Sequence, residues 1–369
     1  MTSRPRSEEL TQRLDELDKE LVRALDKRAR LCQDLLRARG DGGRHAPLTD
    51  TAKLGALEQA VTAPFPREAI RPIFAAIDTA CRVFDVTPRV VCVGPEGGFP
   101  YQAAQLQFGL AAELLRAETV EKALEEVARG HAEFAVVALE TMREGLAFAT
   151  VQSVAALELK LVGEREVAHA LRLVSKTGNR ADVDRVYANS QHHALSEGFV
   201  SHHFGKATVL HVRSAVMAVE LASEHHGAAA IVPRGLPIAA DLHVLDDNVA
   251  DEGELRVRYG VVSKMPQSRT GQDATAVLFS VHDKPGALHD VLQAFKEKSC
   301  NLRRIQSRAV MGAGWEYVFY VEVSGHATDR ALVAALDGVK QRARTMKVLG
   351  SFPLDAAEPS PPSSANQFR

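Results

Sequence analysis

The stretch DKPGALHDVLQAF, from Asp283 to Phe295, decides the class of the C-terminal part of the chain. Thr275–Val281 before it alternates around apolar residues, and its Pro-Gly turn leads into a helical pattern that runs to about Lys298. Four further patterns follow in order: strand Asn301–Val310, strand Trp315–Val323, helix 328–342 and strand Lys347–Phe352. Because a Gly-rich hairpin signal separates the two middle strands, the order predicts an α+β domain of β-α-β-β-α-β type over residues 273–353.

Working back toward the N-terminus, a polar linker at 265–271 separates this domain from a longer region in which strand and helix patterns alternate. After Thr87-Pro88, Arg89 begins a short apolar run that ends in a Gly-Pro turn at Gly94. Further strand candidates are Glu133–Leu139, Leu171–Ser175, Arg185–Ala188, Thr208–His211, Ala228–Val232 and Arg256–Val262. This alternation predicts an α/β domain over residues 89–265. Backbone N–H groups of the turn after the first strand suit an anion.

The N-terminal region is expected to be all-helical. Leucines recur at helical spacing from Glu8 to Arg39, where the run Gly40–Gly43 stops the pattern. Two shorter helical patterns follow near Asp50–Ala60 and Arg67–Phe84, which gives a helical domain over residues 1–86. One long helix and two short ones bury such a leucine stripe poorly, so dimerisation by helix exchange is expected.

Composition excludes several classes of protein. The length of 369 residues predicts two or three domains. The chain is 46% hydrophobic and 25% charged with a net charge of −2, which is unlike a nucleic-acid-binding protein. Four separated cysteines without a C-x-x-C motif predict a reducing, cytoplasmic location, no disulfide and no structural zinc. Neither a membrane span nor a signal peptide is predicted. The Pro/Ser-rich tail, 354–369, is predicted to be disordered, and the His-His pairs 192–193, 202–203 and 225–226 to lie on the surface.

The C-terminal motifs carry the most specific resemblance in the chain. DKPGAL, then N-L-x-x-I-x-S-R from Asn301, then W-E-Y-x-F-Y-V-E from Trp315, resemble the ACT domain of P-proteins, the bifunctional chorismate mutase–prephenate dehydratases of phenylalanine biosynthesis. The resemblance implies allosteric regulation by phenylalanine bound between two subunits, with tyrosine as an alternative effector. The implied effector-binding residues are Gly286, Ala287, Leu288, Ser307 and Arg308. The family's E-S-R-P segment reads Gln306 to Ala309 here, and a ferredoxin-like fold without a ligand remains the alternative.

The central region resembles prephenate dehydratases at five segments. They are GPEGGFPYQAA from Gly94, FAVVALETMREG from Phe134, VYANSQ from Val186, HVRSAVMA from His211 and RVRY from Arg256. The resemblance implies two α/β lobes with the active site in the cleft between them and no cofactor or metal. Gly97 and Gly98 are then expected to contact the substrate, while Gly98, Pro100, Thr141, Asn189 and Ser190 depart from the family pattern.

The chemistry shows which departures matter. Prephenate loses a carboxylate as CO2 and a hydroxyl as water, and hydroxide leaves poorly unless an acid protonates it, which is worth on the order of 10²–10⁴-fold in rate. The threonine that the family uses stands here as Val257, which carries no proton donor. Arg258, implied to hold a substrate carboxylate, and Glu140 match the family. Tyr259 is the nearest alternative acid.

The first helix resembles that of the all-helical chorismate mutases, from Leu14 to Arg28. Catalysis there consists of positioning and charge stabilisation, and the resemblance assigns substrate binding to Arg28, Arg39, Asp50 and Lys53. Other positions have lost the family residue: Thr11, Leu54, Cys81 and Asp85. A damaged mutase site is therefore predicted, unless another residue such as Arg44 compensates.

Two classes of function remain open from sequence. The first is an enzyme: a divergent P-protein that acts on prephenate or chorismate, with mutase activity weak or lost, and that forms a homodimer or homotetramer. A variant of this enzyme would decarboxylate prephenate without expelling water. The second is a regulatory pseudoenzyme that senses phenylalanine, which the loss of groups in both catalytic regions favours.

Overall fold

A computed structural model describes residues 7–39, 51–62, 64–82, 87–109, 112–253, 255–311 and 315–354. Beyond Leu354 the predicted tail lies outside these residues, as do Arg44 and Asp50. The described residues form an N-terminal helical region and three β-sheets, of which the first two make up the central α/β region.

The helical region consists of α1 (Ser7–Arg39), α2 (Thr51–Ala60) and α3 (Ile70–Arg82), the last preceded by a 3-10 turn. Its long helix follows the predicted leucine pattern, but the stripe is uncovered in a single chain. Between 40% and 65% of each of the following side chains is exposed: Leu10, Leu14, Leu17, Leu21, Val22, Leu25 and Leu31. Among the helices that the structure describes, none is long and apolar enough to cross a membrane.

The central region alternates strands and helices, as the sequence predicts. In chain order it contains β1 (Arg89–Val93), α4 (Phe99–Phe108), β2 (Glu113–Ala117), α5 (Val120–Arg129), β3 (Phe134–Thr141), β4 (Gly145–Leu146), α6 (Phe148–Ala156), β5 (Lys160–His169), β6 (Leu171–Ser175), β7 (Arg185–Ala188), α7 (Ser190–Ala194), α8 (Glu197–His203), β8 (Thr208–His211), α9 (Ala215–Glu224), β9 (Ala228–Pro233), β10 (His243–Asp246) and β11 (Leu255–Ser263). Four of these strands were missed in the sequence: β2, β4, β5 and β10.

These elements build two lobes, each around its own sheet. The first lobe has the strand order β2-β1-β3-β11-β5 with β4 beside β3, and the second has the order β10-β6-β9-β7-β8. The chain enters the second lobe directly after His169 and returns to the first through β11, whose Leu255 pairs with His169. The connections between the lobes therefore meet at one point, beside the end of β5.

The C-terminal region has the predicted β-α-β-β-α-β order. It contains β12 (Asp273–Ser280), α10 (Ala287–Glu297), β13 (Leu302–Met311), β14 (Trp315–Ser324), α11 (Arg330–Arg342) and β15 (Thr345–Pro353). The sheet order is β13-β14-β12-β15, and α10 and α11 cover one face through a core that includes Phe279, Phe295 and Leu332.

The opposite face of this sheet packs on the first lobe. Ala276, Tyr320 and Phe352 belong to the same apolar core as Val137 and Leu161 of the first lobe. Two lysines form hydrogen bonds across the interface between this sheet and the first lobe. Lys160 Nζ donates to Val348 O at 3.0 Å, and Lys347 Nζ donates to Ala155 O at 2.8 Å. The C-terminal domain therefore shares a continuous core with the first lobe.

Gly350 marks the closest approach of the two domains. It lies on β15 with φ at +144°, and a Cβ placed there would overlap the carbonyl oxygen of Leu161 and lie 2.8 Å from its nitrogen. Only glycine allows the two backbones to meet at this distance.

We predict that Gly350→Ala lowers the free energy of unfolding by about 1–3 kcal/mol or more, because the added methyl meets backbone that cannot move aside. Gly271→Ala is the matched control, since Gly271 also has a positive φ (+96°) but open space around its Cα. Urea denaturation of both variants measures the difference. Equal losses of stability in Gly350→Ala and Gly271→Ala would show that the interface beside Leu161 tolerates a methyl group.

Candidate active site between the lobes

The loop after β1 reaches from the first lobe to the second. Gly94 and Gly97 take positive φ angles of +97° and +73°, and Gly98 caps the N-terminus of α4. A Cβ on Gly97 would lie 3.0 Å from Leu236 Cδ1 and 3.3 Å from Ala215 Cβ, both in the second lobe. The predicted substrate-binding glycines therefore lie at the boundary between the lobes.

Two helix N-termini meet at this boundary. Helix α4 begins at Phe99, and α9 begins at Ala215, where Ser214 Oγ accepts a hydrogen bond from Met217 N at 3.1 Å. The free backbone N–H groups and dipoles of helix N-termini favour negative charge. An anionic substrate with two carboxylates fits such a boundary, which supports the anion-binding expectation for this turn.

A group of aromatic and imidazole rings lies beside the loop. His169 Nε2 is 2.8 Å from Tyr259 Oη, and the His169 ring stacks on Phe99 with ring centres 3.7 Å apart and an angle of 7° between the planes. His192, from the second lobe, contacts the other side of the group, with its ring centre 5.3 Å from that of Phe99. Residues from both lobes thus form one packed set next to the turn that is predicted to bind an anion.

His192 corrects the prediction that the His-His pairs lie on the surface, because its side chain is fully buried. Asn189 caps α7 by accepting a hydrogen bond from His192 N at 2.7 Å, and this turns the imidazole into the protein. Burial lowers the pKa of His192 to about 4 and that of His169 to about 4. Both rings are therefore neutral at physiological pH in the unliganded protein.

The four predicted catalytic residues lie on the two opposite faces of the first-lobe sheet. Val257 and Tyr259 belong to the core that α4 and the second lobe share, and only 4% and 2% of each is exposed. Arg258 and Glu140 point to the other face, toward the C-terminal domain. The structure therefore brings Tyr259 to the boundary between the lobes and places Arg258 away from it.

Arg258 is surrounded by carboxylates. Its guanidinium lies 2.9 Å from Glu140, 2.9 Å from Glu164 and 2.7 Å from Glu322 of the C-terminal domain. Burial opposes its charge, but the carboxylates of Glu322 and Glu164 hold the pKa of Arg258 above its ordinary value. Burial also raises the pKa of Glu164, with Arg258 acting in the opposite direction. The arginine thus joins β3, β5 and the C-terminal sheet.

Strand β13 completes this cluster from the C-terminal domain. Arg304 forms ion pairs with Glu140 and Glu322, and Gln306 Nε2 donates to Glu140 Oε1 at 2.9 Å. Gln306 Oε1 accepts from Leu146 N at 3.2 Å, so both ends of the amide are used. A glutamate, the family residue at this position, would place a second carboxylate against Glu140. We refer to Arg258, Glu140, Glu164, Glu322, Arg304 and Gln306 as the interdomain cluster.

The predicted effector residues lie on the C-terminal domain. Gly286 has φ at +82° and caps α10, Ala287 is buried, and Leu288 is partly buried. Ser307 and Arg308 are exposed on the edge strand β13, where Arg308 Cζ lies 6.0 Å from the centre of the Phe148 ring of the first lobe. Their effector role stays a prediction. Ser307 follows Gln306 directly, so the segment adjoins the interdomain cluster.

Three of the four predicted mutase residues lie on helices of the N-terminal region. Arg28 is partly buried on α1, with Nη1 4.0 Å from Cys32 Sγ, while Arg39 ends α1 and Lys53 lies on α2. Asp50 lies outside the described residues. The assignment of these residues to a substrate site, like that of a substrate carboxylate to Arg258, stays a prediction.

Comparison with known proteins shows the family of the central and C-terminal regions. The prephenate dehydratase family model matches residues 90–267, and the ACT domain model matches residues 275–341. A bifunctional chorismate mutase/prephenate dehydratase of Aquifex aeolicus is 30% identical over 94% of this chain and 97% of its own length, and one of Pseudomonas aeruginosa is 28% identical over 92% and 96%. The crystal structure of an Arthrobacter aurescens prephenate dehydratase in complex with L-Phe covers 74% of this chain and 92% of its own, with a TM-score of 0.58 and 28% identity.

We predict that Arg258→Met destabilises the protein by about 3–5 kcal/mol, because it removes the ion pair of buried Glu164 and leaves Arg304 alone beside Glu140 and Glu322. Arg256→Met is the matched control on the same strand, since its ion pair with Glu166 is exposed and such pairs are worth about 0–1 kcal/mol. Thermal and urea unfolding measure both. A loss for Arg258→Met as small as that for Arg256→Met would contradict a role of Arg258 in joining the domains.

Proposed function

The chain belongs to the family of bifunctional chorismate mutase/prephenate dehydratases, and we propose that it converts prephenate to phenylpyruvate, water and CO2 under the control of phenylalanine. The observation that carries the proposal is the boundary between the lobes. There the loop leaves the N–H groups of Glu96 and Gly97 available to a dianion, since Gly94 N and Gly98 N donate to Ala117 O and Pro95 O. The N-termini of α4 and α9 add further backbone N–H groups.

The boundary performs two tasks in the proposed reaction. It holds the carboxylates of prephenate so that the ring is oriented for loss of CO2 and hydroxyl. The buried rings of Phe99 and His192 exclude water from the reacting centre, which strengthens every electrostatic contact there. The reaction consumes one proton, and because the Val257 side chain is an apolar part of the core, that proton has to come from another group.

Val257 also supports a second candidate function. A site that holds prephenate but protonates the leaving hydroxyl poorly favours decarboxylation with the hydroxyl retained. Complete loss of turnover with phenylalanine still bound would make the chain a phenylalanine-sensing regulator instead. The products distinguish these cases by mass.

For the helical region we propose a mutase fold with weak or lost activity. Thr11 and Leu54 stand where the resemblance places an arginine and a glutamate. Loss of a charged contact to a buried dianion costs about 2–5 kcal/mol, so the remaining positive side chains, including Arg28, leave the reaction slow.

We propose that the protein is a homodimer or homotetramer. The leucine stripe of α1 is uncovered in one chain and is suited to burial against α1 of a second copy. At the other end of the chain, the edge strand β13 and its neighbour β14 expose Ile305 and Tyr317. A reducing, cytoplasmic location suits Cys32, Cys81, Cys92 and Cys300, all of which are free thiols.

We expect purified protein to convert prephenate to phenylpyruvate, and to consume chorismate at least about 100-fold more slowly than a typical mutase because of the lost contacts. Liquid chromatography with mass detection identifies each product. A product that has lost CO2 but keeps the hydroxyl, or the absence of any product, would exclude the dehydratase reaction.

We expect L-phenylalanine to raise the unfolding temperature, because a ligand that binds only the folded state stabilises it by about 2.7 kcal/mol at 100 times its Kd. Arg308→Ala should weaken this response, whereas Arg330→Ala, an exposed arginine at the start of α11, should leave it unchanged. D-phenylalanine serves as the ligand control. Identical melting with and without millimolar L-phenylalanine and tyrosine would refute effector binding.

A further inference from the structure

The dehydration needs a proton donor that the family pattern does not supply here. Conversion of the prephenate dianion to the phenylpyruvate anion, CO2 and water takes up one proton. Val257 lies in the core and has no proton to give. A donor must therefore lie next to the anion-binding turn, with one polar atom free for the substrate.

His169 has the required position. It is the last residue of β5, and the chain passes from it directly into the second lobe. Its ring stacks on Phe99, which opens α4 immediately after Gly94–Gly98. The imidazole thus lies between the lobes and beside the turn that we propose holds the substrate carboxylates.

The two ring nitrogens of His169 have different surroundings. Nε2 is engaged by Tyr259 Oη at 2.8 Å, and this is the hydrogen bond that the ring makes among the described residues. The side chain is partly exposed, whereas Tyr259 and His192 are buried. Tyr259 therefore fixes the ring orientation, and Nδ1 makes no hydrogen bond among the described residues, which leaves it available to a ligand.

We propose that His169 is the catalytic acid of the dehydration and that Tyr259 is the residue that positions it. The inference rests on the proposed prephenate dehydratase activity and adds the group that completes it. The sequence suggested Tyr259 as the alternative acid. The geometry gives Tyr259 the supporting role, because its side chain is buried whereas that of His169 is partly exposed to solvent.

The proposed step conserves atoms and charge. Protonated His169 gives its Nδ1 proton to the departing hydroxyl oxygen, the carbon–oxygen bond breaks, and water leaves. The bond between the ring and its carboxylate breaks, CO2 leaves, and the electron pair of that bond completes the aromatic ring. Nε2–H donates to Tyr259 Oη throughout, and neutral His169 regains a proton from solvent through its exposed edge.

The charge state of His169 links proton uptake to substrate binding. Burial lowers its pKa to about 4 in the unliganded protein. The nearest titratable groups, Tyr259 on β11 and His192 on α7, are neutral, because burial raises the pKa of Tyr259 and lowers that of His192 to about 4. A bound dianion and the face of the Phe99 ring both favour the imidazolium, so the pKa of His169 rises when prephenate binds.

The test compares His169→Asn with His131→Asn, an exposed histidine at the end of α5. We expect His169→Asn to lower kcat for phenylpyruvate formation by about 10²–10⁴-fold with KM changed only a few-fold, and His131→Asn to have no effect. The native kcat/KM should fall about tenfold per pH unit above the pKa of the acid, and His169→Asn should lose this dependence. Tyr259→Phe should move the pH profile of kcat/KM toward lower pH, because the protonated His169 loses Tyr259 Oη as its hydrogen-bond acceptor.

Each outcome decides one point. Formation of phenylpyruvate by His169→Asn at the native kcat, or with the native pH profile, overturns the inference while leaving the proposed function intact. Absence of phenylpyruvate from the native protein overturns the proposed function and, with it, the inference. If His169→Asn fails to fold by thermal melting, the native and Tyr259→Phe profiles decide, and identical profiles for the two overturn the inference.

Discussion

A single buried arginine organises the relation between the catalytic and regulatory parts of this protein. Arg258 lies on β11, an internal strand of the first-lobe sheet, and its guanidinium contacts Glu140 and Glu164 of the first lobe and Glu322 of the C-terminal domain. Arg304 pairs with Glu140 and Glu322 as well, but Glu164 depends on Arg258, so loss of Arg258 would leave carboxylates that repel each other at a buried position. The apolar core that the two domains share adds to this constraint but does not specify a register in the way that the ion pairs do.

The same strand connects this cluster to the site between the lobes. Side chains of a strand alternate between faces, so Arg258 points to the C-terminal domain while Val257 and Tyr259 point to the other side. Tyr259 holds His169, and Gln306 on β13 adjoins the predicted effector residues Ser307 and Arg308. A ligand that shifts β13 would therefore act on Glu140 and Arg258, and through the strand on the residue that positions the proposed acid. The coupling needs no long chain of intermediate contacts, because one strand thickness separates the two faces.

Much of the fold could be predicted from sequence, and the failures have physical causes. The long helix and strands β6, β7 and β8 were predicted because their apolar spacing is regular and their turns are marked. Strand β5 was missed because Glu164, Arg165 and Glu166 interrupt its apolar pattern, and their partners come from distant parts of the chain. His192 was expected at the surface, since no local pattern reveals that Asn189 caps its helix and Phe99 covers its ring. Motif matching assigned Arg258 and Tyr259 to one active site, although alternation along the predicted strand Arg256–Val262 already places the two side chains on opposite faces. It gave no signal for His169.

The interdomain cluster lies between the proposed phenylalanine site and β11, and amide hydrogen exchange tests most directly whether it couples the two. Exchange is followed in the native protein with and without saturating L-phenylalanine, with peptides that cover β3, β11 and the C-terminal domain. The account predicts altered protection in β3 and β11 as well as around Gly286 and Ser307, and loss of the change in β3 and β11 in an Arg304→Gln variant that still binds phenylalanine. A response confined to the C-terminal domain, identical in the native protein and in Arg304→Gln, would contradict it.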